Sequence, residues 1–421
     1  MLPTAALIYS PRFSDYDLGP SHPLKPIRVE RTYELIKACR LLRGAKVSVV
    51  APAAADEDTI ALVHSRGYLD AVRAAGAGRV GRRFYDYGLG TIDNPIIENM
   101  YEAAALIVGA SVAAADLVVD GKADVAFNPG GGLHHAHRAR ASGFCVFNDP
   151  AIAIAHVLRK CGEGVKVAYI DIDAHHGDGV QEAFYTRKDV LTISVHESGR
   201  YLFPTTGNVD EIGTGDGRGY SVNLPLSPFT GDELYLWAFK EIVPPLLQAY
   251  QPDFVCTQLG VDTHYQDPLT HLCCTTRGYM AVVNEIARFA LGDVGRRESL
   301  GNRERPRFPG DAATRRAESP RWIAIGGGGY DVTVVPRSWT LAFGRMTGKK
   351  VPQFIPEEQA DYYRPARRGG ATTAASSEEQ GIPLHDSNGP KIDDDWLRVS
   401  REFAEQSVRE IKERVFPYHG L

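Results

Sequence analysis

The sequence lacks the features that direct a chain into a membrane, through a secretory pathway or onto nucleic acid. No run of about 18 uninterrupted apolar residues is present, so no membrane span is expected. The longest apolar segment, Tyr101 to Val119, is rich in Ala and carries Glu102 and Asp116, and it reads as a buried core helix. The opening MLPTAALIYSPRF has no basic start followed by an apolar block and a small-residue cleavage site, which argues against a secretory leader. Only six cysteines occur, at 39, 145, 161, 256, 273 and 274, and none forms a CxxC pair. That pattern argues against a zinc ribbon or a disulfide framework and suits a reducing, cytoplasmic setting. Basic charge is not in excess: 47 Lys and Arg stand against 52 Asp and Glu, for a net charge of -5, so stable nucleic-acid binding is not expected.

What is present is a long chain, 421 residues with 43% hydrophobic content, enough for one large core or two domains. Short β-branched runs alternate with helical stretches. Strands are expected at Lys46–Val50, Ala123–Phe127, Val167–Asp173, Val190–His196, Phe254–Leu259 and Trp322–Ile325, and helices at Tyr101–Val119, Pro150–Arg159 and Asp232–Tyr250. This alternation predicts an α/β fold with a central, mostly parallel sheet flanked by helices. Residues 1–360 read as one catalytic domain, with a basic insertion at about 293–320 that lacks apolar periodicity. Residues 361–392 read as a low-complexity linker. A helix from about Asp393 to Val415 follows, with Trp396, Val399, Phe403, Ile411 and Val415 near helical spacing, and is expected to pack on the body.

Polar residues gather after the expected strands, where open parallel sheets place their sites. Asp171, Asp173 and His175 in DIDAHHGD occupy alternate positions and are expected to share one face. Two carboxylates and an imidazole packed together call for a cation, because like charges in contact resist ionising. No Lys or Arg lies between Tyr169 and Glu182 to supply it. Oxygen and nitrogen ligands without thiolate suit zinc, iron or manganese. Asp173 and His175 supply two ligands, and Asp262 in LGVDTH is the candidate third, although an isolated Asp after a strand is more often a helix cap. Three glycines precede His134 and His135, letting the backbone approach closely before a pair of side chains suited to proton transfer. Asp171 and Asp178 are the spare acids available to orient them. Gly326 to Gly329 precede Tyr330, a phenol able to donate to a developing oxyanion.

These residues resemble a known family, the zinc-dependent class I histone deacetylases, and among them the bacterial acetoin-utilisation-type deacetylases. The resemblance runs over roughly residues 5 to 360, through GLGTIDNP (88–95), NPGGGLHHA, SGFCVFNDPAIA, DIDAHHGDG, FPTTG, QLGVDTHYQDPLTHL and GGGGY. It implies the arginase-like deacetylase fold and hydrolysis of the acetyl amide of acetyl-lysine in proteins. By resemblance, Asp173, His175 and Asp262 are metal ligands for zinc or iron, and His134 and His135 are tandem catalytic histidines paired with Asp171 and Asp178. Tyr330 is the transition-state tyrosine. Gly143, Phe144, Phe203 and Leu269 line the acyl-lysine tunnel, and Asp93 holds substrate backbone at the rim. The family also binds potassium. One matching set is Asp171, Asp173 and His175 with Ser194 and Val195; the other uses main-chain oxygens at Phe184, Arg187, Val190 and Tyr220, where an arginine is unusual. The resemblance suggests an acetylated protein such as acetyl-CoA synthetase as the partner. The rival readings are an acetylpolyamine amidohydrolase, a binuclear ureohydrolase and a non-catalytic acyl-lysine binder. The second is disfavoured by His264 standing where a further Asp is typical.

Overall fold

The computed structural model describes residues 2–292, 321–364 and 381–421. The expected insertion at 293–320 and residues 365–380 of the expected linker lie outside the described residues. Eight strands form one parallel sheet in the order β2-β1-β3-β8-β7-β4-β5-β6. They are β1 Ala5–Ile8, β2 Val47–Val50, β3 Val125–Asn128, β4 Val167–Asp171, β5 Val190–Glu197, β6 Ser221–Leu226, β7 Phe254–Gln258 and β8 Arg321–Ile325. Strands β3, β4, β5, β6 and β7 are buried at every position. That is the pattern of a parallel sheet covered on both faces.

Helices of seven residues or more cover the sheet: α1 Ile27–Ala38, α2 Arg66–Gly76, α3 Met100–Val119, α4 Asp149–Cys161, α5 Asp178–Phe184, α6 Asp232–Tyr250, α7 Thr276–Leu291, α8 Val334–Thr347 and α9 Asp394–Arg414. Helix α3 is long and apolar enough to cross a membrane by composition, yet most of it is buried in the body, against α4 and β3. It is the core helix expected from its sequence.

Two strands were not anticipated. Strand β1 is only AALI, too short to carry a periodic signal. Strand β6, SVNLPL, contains Pro225, which argues against a central strand. It lies at the sheet edge, where the missing N–H faces no neighbour on the open side. The C-terminal helix packs on β6 and α6, and of the residues expected to face the body Ile411 and Val415 are buried and Phe403 half-buried. Trp396 and Val399 remain 44% and 39% exposed, while Ser400, Ala404, Ser407, Val408 and Ile411 are buried. The end of the expected linker is also built into the body. Leu384 is fully buried, and Leu384 N–H donates to Gln353 O at 3.0 Å.

The order of the sheet decides where chemistry can gather. Strands β3, β8, β7 and β4 are four adjacent central strands, and their C-terminal loops carry the glycine–histidine run, Tyr330, Asp262 and the Asp173–His175 turn. Helix α9 supplies part of the packing that holds the far side. Replacing its fully buried Ile411 by Ala removes a core side chain and is expected to cost about 2–5 kcal/mol. Urea unfolding, with the midpoint lowered and the slope unchanged, is the measurement.

Candidate active site

Strand β4 ends at Asp171, so Asp173 and His175 lie beyond it rather than on its pleat. The expectation that all three share one strand face is corrected accordingly: the turn after β4 brings Asp173 and His175 to Asp262, while Asp171, at the strand end, accepts from the Asp173 N–H at 3.1 Å and meets His134. His175 Nδ1 lies 3.1 Å from Asp173 Oδ1 and 3.0 Å from Asp262 Oδ2. One ligand atom from each residue falls within 4.8 Å of the others. Asp262 is not a helix cap, since α7 is capped by Thr275.

The remaining carboxylate oxygens are already committed. Asp262 Oδ1 accepts from Ala174 N–H at 2.8 Å, and Asp173 Oδ2 accepts from Gly328 N–H at 2.7 Å and Gln258 Nε2 at 2.5 Å. Each carboxylate is therefore anchored by one oxygen while the other turns toward the imidazole, as orienting partners arrange a metal's ligands. Burial and the neighbouring Asp173 push the Asp262 carboxyl well above the usual carboxylate range. Burial raises Asp173 too, but His134 and His175 outweigh it and hold it well below. A divalent cation would relieve this conflict, and two carboxylate oxygens plus one imidazole nitrogen suit it, with room for further ligands. The residues present fit a metal site.

The tandem histidines stand beside this trio. His134 Nδ1 is 2.8 Å from Asp171 Oδ2, which also accepts from the Tyr169 hydroxyl at 2.6 Å. His135 Nδ1 is 2.7 Å from Asp178 Oδ1. The two Nε2 atoms are 3.1 Å apart. Their environments split their basicity. Burial lowers that of His134, but Asp171 and Asp173 outweigh it and raise its pKa to about 9. Burial and the adjacent His134 lower His135 to about 4. Two adjacent rings thus differ widely in basicity, the kind of separation that acid and base roles require.

Tyr330 and Phe144 line the same cavity as the histidines, and Phe203 packs beside them. The Phe144 ring meets Tyr330 edge-on at 5.7 Å, and Phe203 meets His135 at 5.0 Å. Burial, with Asp262 and Asp173 nearby, raises the Tyr330 phenol well above its usual value, so it stays a proton donor. Gly143 has φ +50°, and a Cβ there would lie 2.4 Å from His135 Cδ2. Leu269 is half-buried on the loop after Asp262. Asp93 is exposed, and its carbonyl oxygen lies 3.2 Å from Nε2 of His22, whose ring packs on Phe144. The cavity bounded by Leu24, Arg28, His134, His135, Phe144 and Tyr330 holds about 20 Å³, room for one water. A larger cleft of about 560 Å³ lies between Leu62, Leu158 and Phe184. It contains none of the trio or tandem-histidine side chains, so chemistry rather than size identifies the site.

The two expected potassium sets lie apart. Ser194 pairs in register with Asp171 on the neighbouring strand, and Val195 O accepts from the Tyr235 hydroxyl. Phe184, Arg187, Val190 and Tyr220 lie around the end of α5 and the start of β5. There Phe184 O accepts from Arg187 N–H and Tyr220 O from Thr192 N–H, leaving each carbonyl a second lone pair.

Several participants carry no local sequence signal. Arg28, buried on α1, donates to Gly327 O at 2.6 Å and Gly329 O at 3.0 Å and so shapes the loop before Tyr330. Asp149 accepts from Gly132 and Leu133 N–H and so shapes the loop before His134. His137 bridges Asp178 Oδ2, at 3.4 Å, and Glu182 Oε2, at 2.5 Å. Only the spacing of a third histidine two residues after the pair hinted at it.

The Asp178 and Glu182 carboxylates raise the His137 pKa from 6.5 to about 9. The folded state thus holds that proton more tightly than the unfolded chain, and the resulting stabilisation, complete below pH 6.5, is lost as pH rises through about 9. The stability advantage of the natural chain over His137→Gln, read by urea unfolding, should be larger near pH 6 than near pH 10.

Comparison with known proteins agrees with this geometry. The model of the histone deacetylase domain matches residues 22–297. The acetoin utilization protein AcuC of Bacillus subtilis is 43% identical over 356 residues, covering 84% of this chain and 85% of that protein. AcuC of Staphylococcus aureus (strain MRSA252) is 37% identical over 344 residues, 81% of each chain. The crystal structure of an HDAC homologue from Aquifex aeolicus superposes with a TM-score of 0.78 at 27% identity, over 96% of this chain and all of that one. An HDAC homologue complexed with SAHA gives a TM-score of 0.77 at the same identity and coverage. With the histone deacetylase domain matched over 22–297 and a relative 43% identical over 84% of the chain, the chain belongs to the histone deacetylase family.

Proposed function

We propose that the protein hydrolyses the acetyl amide of N6-acetyl-lysine in an acetylated protein, releasing acetate. The observation that carries this reading is geometric: two buried imidazoles, each on its own carboxylate at 2.8 and 2.7 Å, stand beside the buried Asp173–His175–Asp262 trio, with Tyr330 packed on Phe144 at the same cavity. A zinc or iron ion held by Asp173, His175 and Asp262 would polarise the acetyl carbonyl and acidify the attacking water. Potassium at the two sets named above is part of the same proposal.

The chain's own groups divide the remaining work. Asp178 accepts the Nδ1–H of His135 and so leaves Nε2 as the basic atom. His135 Nε2 takes the proton released as water adds to the carbonyl carbon. His134, held charged by Asp171, orients the water and offsets developing negative charge. The Tyr330 hydroxyl donates to the tetrahedral oxyanion. His135 then delivers its proton to the departing amine nitrogen, the carbon–nitrogen bond breaks, and acetate and lysine leave. Phe144 and Phe203 bury the aliphatic stem and disfavour charged, unacetylated lysine, whose ammonium is costly to desolvate. The AcuC relatives are named for acetoin utilization, which favours a metabolic enzyme such as acetyl-CoA synthetase as the acetylated partner.

Acetate release from an acetyl-lysine peptide should be abolished by a chelator and restored by zinc. Tyr330→Phe should lower kcat about a hundred- to a thousandfold, the usual cost of one oxyanion donor. Full activity in that variant removes the donor role, and faster turnover of acetylspermidine than of the peptide replaces the protein substrate by a polyamine. Gly143→Ala drives a methyl group into His135 and should lower kcat/KM by about a hundredfold, measured on the same peptide.

A further inference from the structure

We infer that Asp386, carried on the C-terminal segment beyond the catalytic body, is a positioning residue that sets the Asp262 loop and Tyr330 relative to one another. The inference rests on the deacetylase reading above, since it concerns the same site. Residues 381–386 are attached to the body by a short pairing: Ile355 N–H donates to Ile382 O at 2.7 Å, and Leu384 N–H to Gln353 O at 3.0 Å. Beyond it Asp386 enters the interior, 7% exposed.

There it makes five hydrogen bonds to three elements. Oδ2 accepts from His264 Nε2 at 2.8 Å and from Thr276 N–H at 2.8 Å. Oδ1 accepts from Arg337 Nη1 at 3.0 Å. The Asp386 N–H donates to Thr276 Oγ1 at 2.8 Å, and its carbonyl accepts from Arg277 Nε at 2.9 Å. Thr276 and Arg277 open α7, and Arg337 lies on α8, just after Tyr330.

A carboxylate at the start of a helix is ordinarily a cap and nothing more. The His264 contact makes this one different, because His264 lies two residues after Asp262. Gln266 N–H donates to His264 Nδ1 at 3.2 Å, so the ring proton sits on Nε2 and points at Asp386. Asp267 N–H donates to His264 O at 2.8 Å, and Asp267 Oδ2 in turn accepts the Tyr330 N–H at 2.8 Å. Asp267 Oδ1 accepts Leu269 N–H at 3.0 Å. One turn therefore touches a metal ligand, the tunnel wall and the oxyanion donor, and Asp386 holds it through His264. Without the carboxylate, His264, Thr276 and Arg337 lose an acceptor in a buried place, and the turn must rearrange to recover one.

The test uses the full chain. Zinc affinity is read by competition with a chromophoric chelator for the natural protein, Asp386→Ala and Asp386→Asn, and kcat and KM are measured on an acetyl-lysine peptide. Both variants should bind zinc about 10–100-fold more weakly, the usual effect of losing an orienting partner. In both, kcat should fall by a larger factor than KM rises. Ile411→Ala serves as a control: it loses stability but should keep zinc affinity and kcat. The asparagine variant keeps the side chain's volume and carries the test where the alanine variant does not fold. Folded variants with zinc affinity and kcat within about threefold of the natural protein would overturn the inference, as would an equal loss in Ile411→Ala. Failure of the natural protein to release acetate would instead sink the deacetylase reading, while the zinc affinities still judge Asp386.

Discussion

The burial of two carboxylates and three imidazoles in one small space is the constraint on which the rest of the site depends. None of Asp173, His175, Asp262, His134 or His135 is more than 7% exposed, so water cannot relieve their charges. The protein answers with directed donors. Backbone N–H groups of Ala174 and Gly328 and the Gln258 amide fix the outward oxygens, while Asp171 and Asp178 each take one ring nitrogen of a histidine. Such an arrangement is stable only when every member is satisfied. It explains why the loops are glycine-rich: side chains on Gly131 or Gly328 would meet Asp149 Oδ2 or Asp262 Oδ2 at 2.2 Å.

The same constraint accounts for the division of labour between His134 and His135. The two rings are adjacent in sequence and nearly touch at Nε2, yet their partners differ. His134 sees both Asp171 and Asp173 and holds its proton, and the resulting cation makes a second proton on His135 unfavourable. Adjacent titrating groups of this kind behave as a unit. Exchange of their roles would require exchange of their carboxylates, not of their own chemistry.

Much of this could be read in the sequence, and the failures have physical causes. The trio Asp173, His175 and Asp262 was legible because few structural roles suit acids and histidine after apolar strands. The reason first given for their convergence was wrong, however: the pleat ends at Asp171 and a turn does the work. Strand β6 was hidden by Pro225, and on α9 only the first turns departed from the expected apolar face, with Trp396 and Val399 exposed. Arg28 and Asp386 were invisible because their partners lie far along the chain, with Arg28 separated from Gly327 by 299 positions. No local pattern records a contact of that span. The resemblance to the family supplied the tunnel and potassium residues, which composition and spacing alone did not reach.

The order of the central strands has a consequence for how the molecule comes into being. Strands β3, β8, β7 and β4 are neighbours in space but are drawn from both halves of the chain, and Arg28 closes on a loop made hundreds of residues later. Contacts of such separation form slowly, because a long stretch must first be ordered. During synthesis the amino-terminal strands emerge with no partner for the inner edge of β3 until β8 arrives. The cluster of acids and imidazoles is thus among the last parts to assemble, and a half-made chain offers neither a place for the ion nor a surface that could cleave an amide.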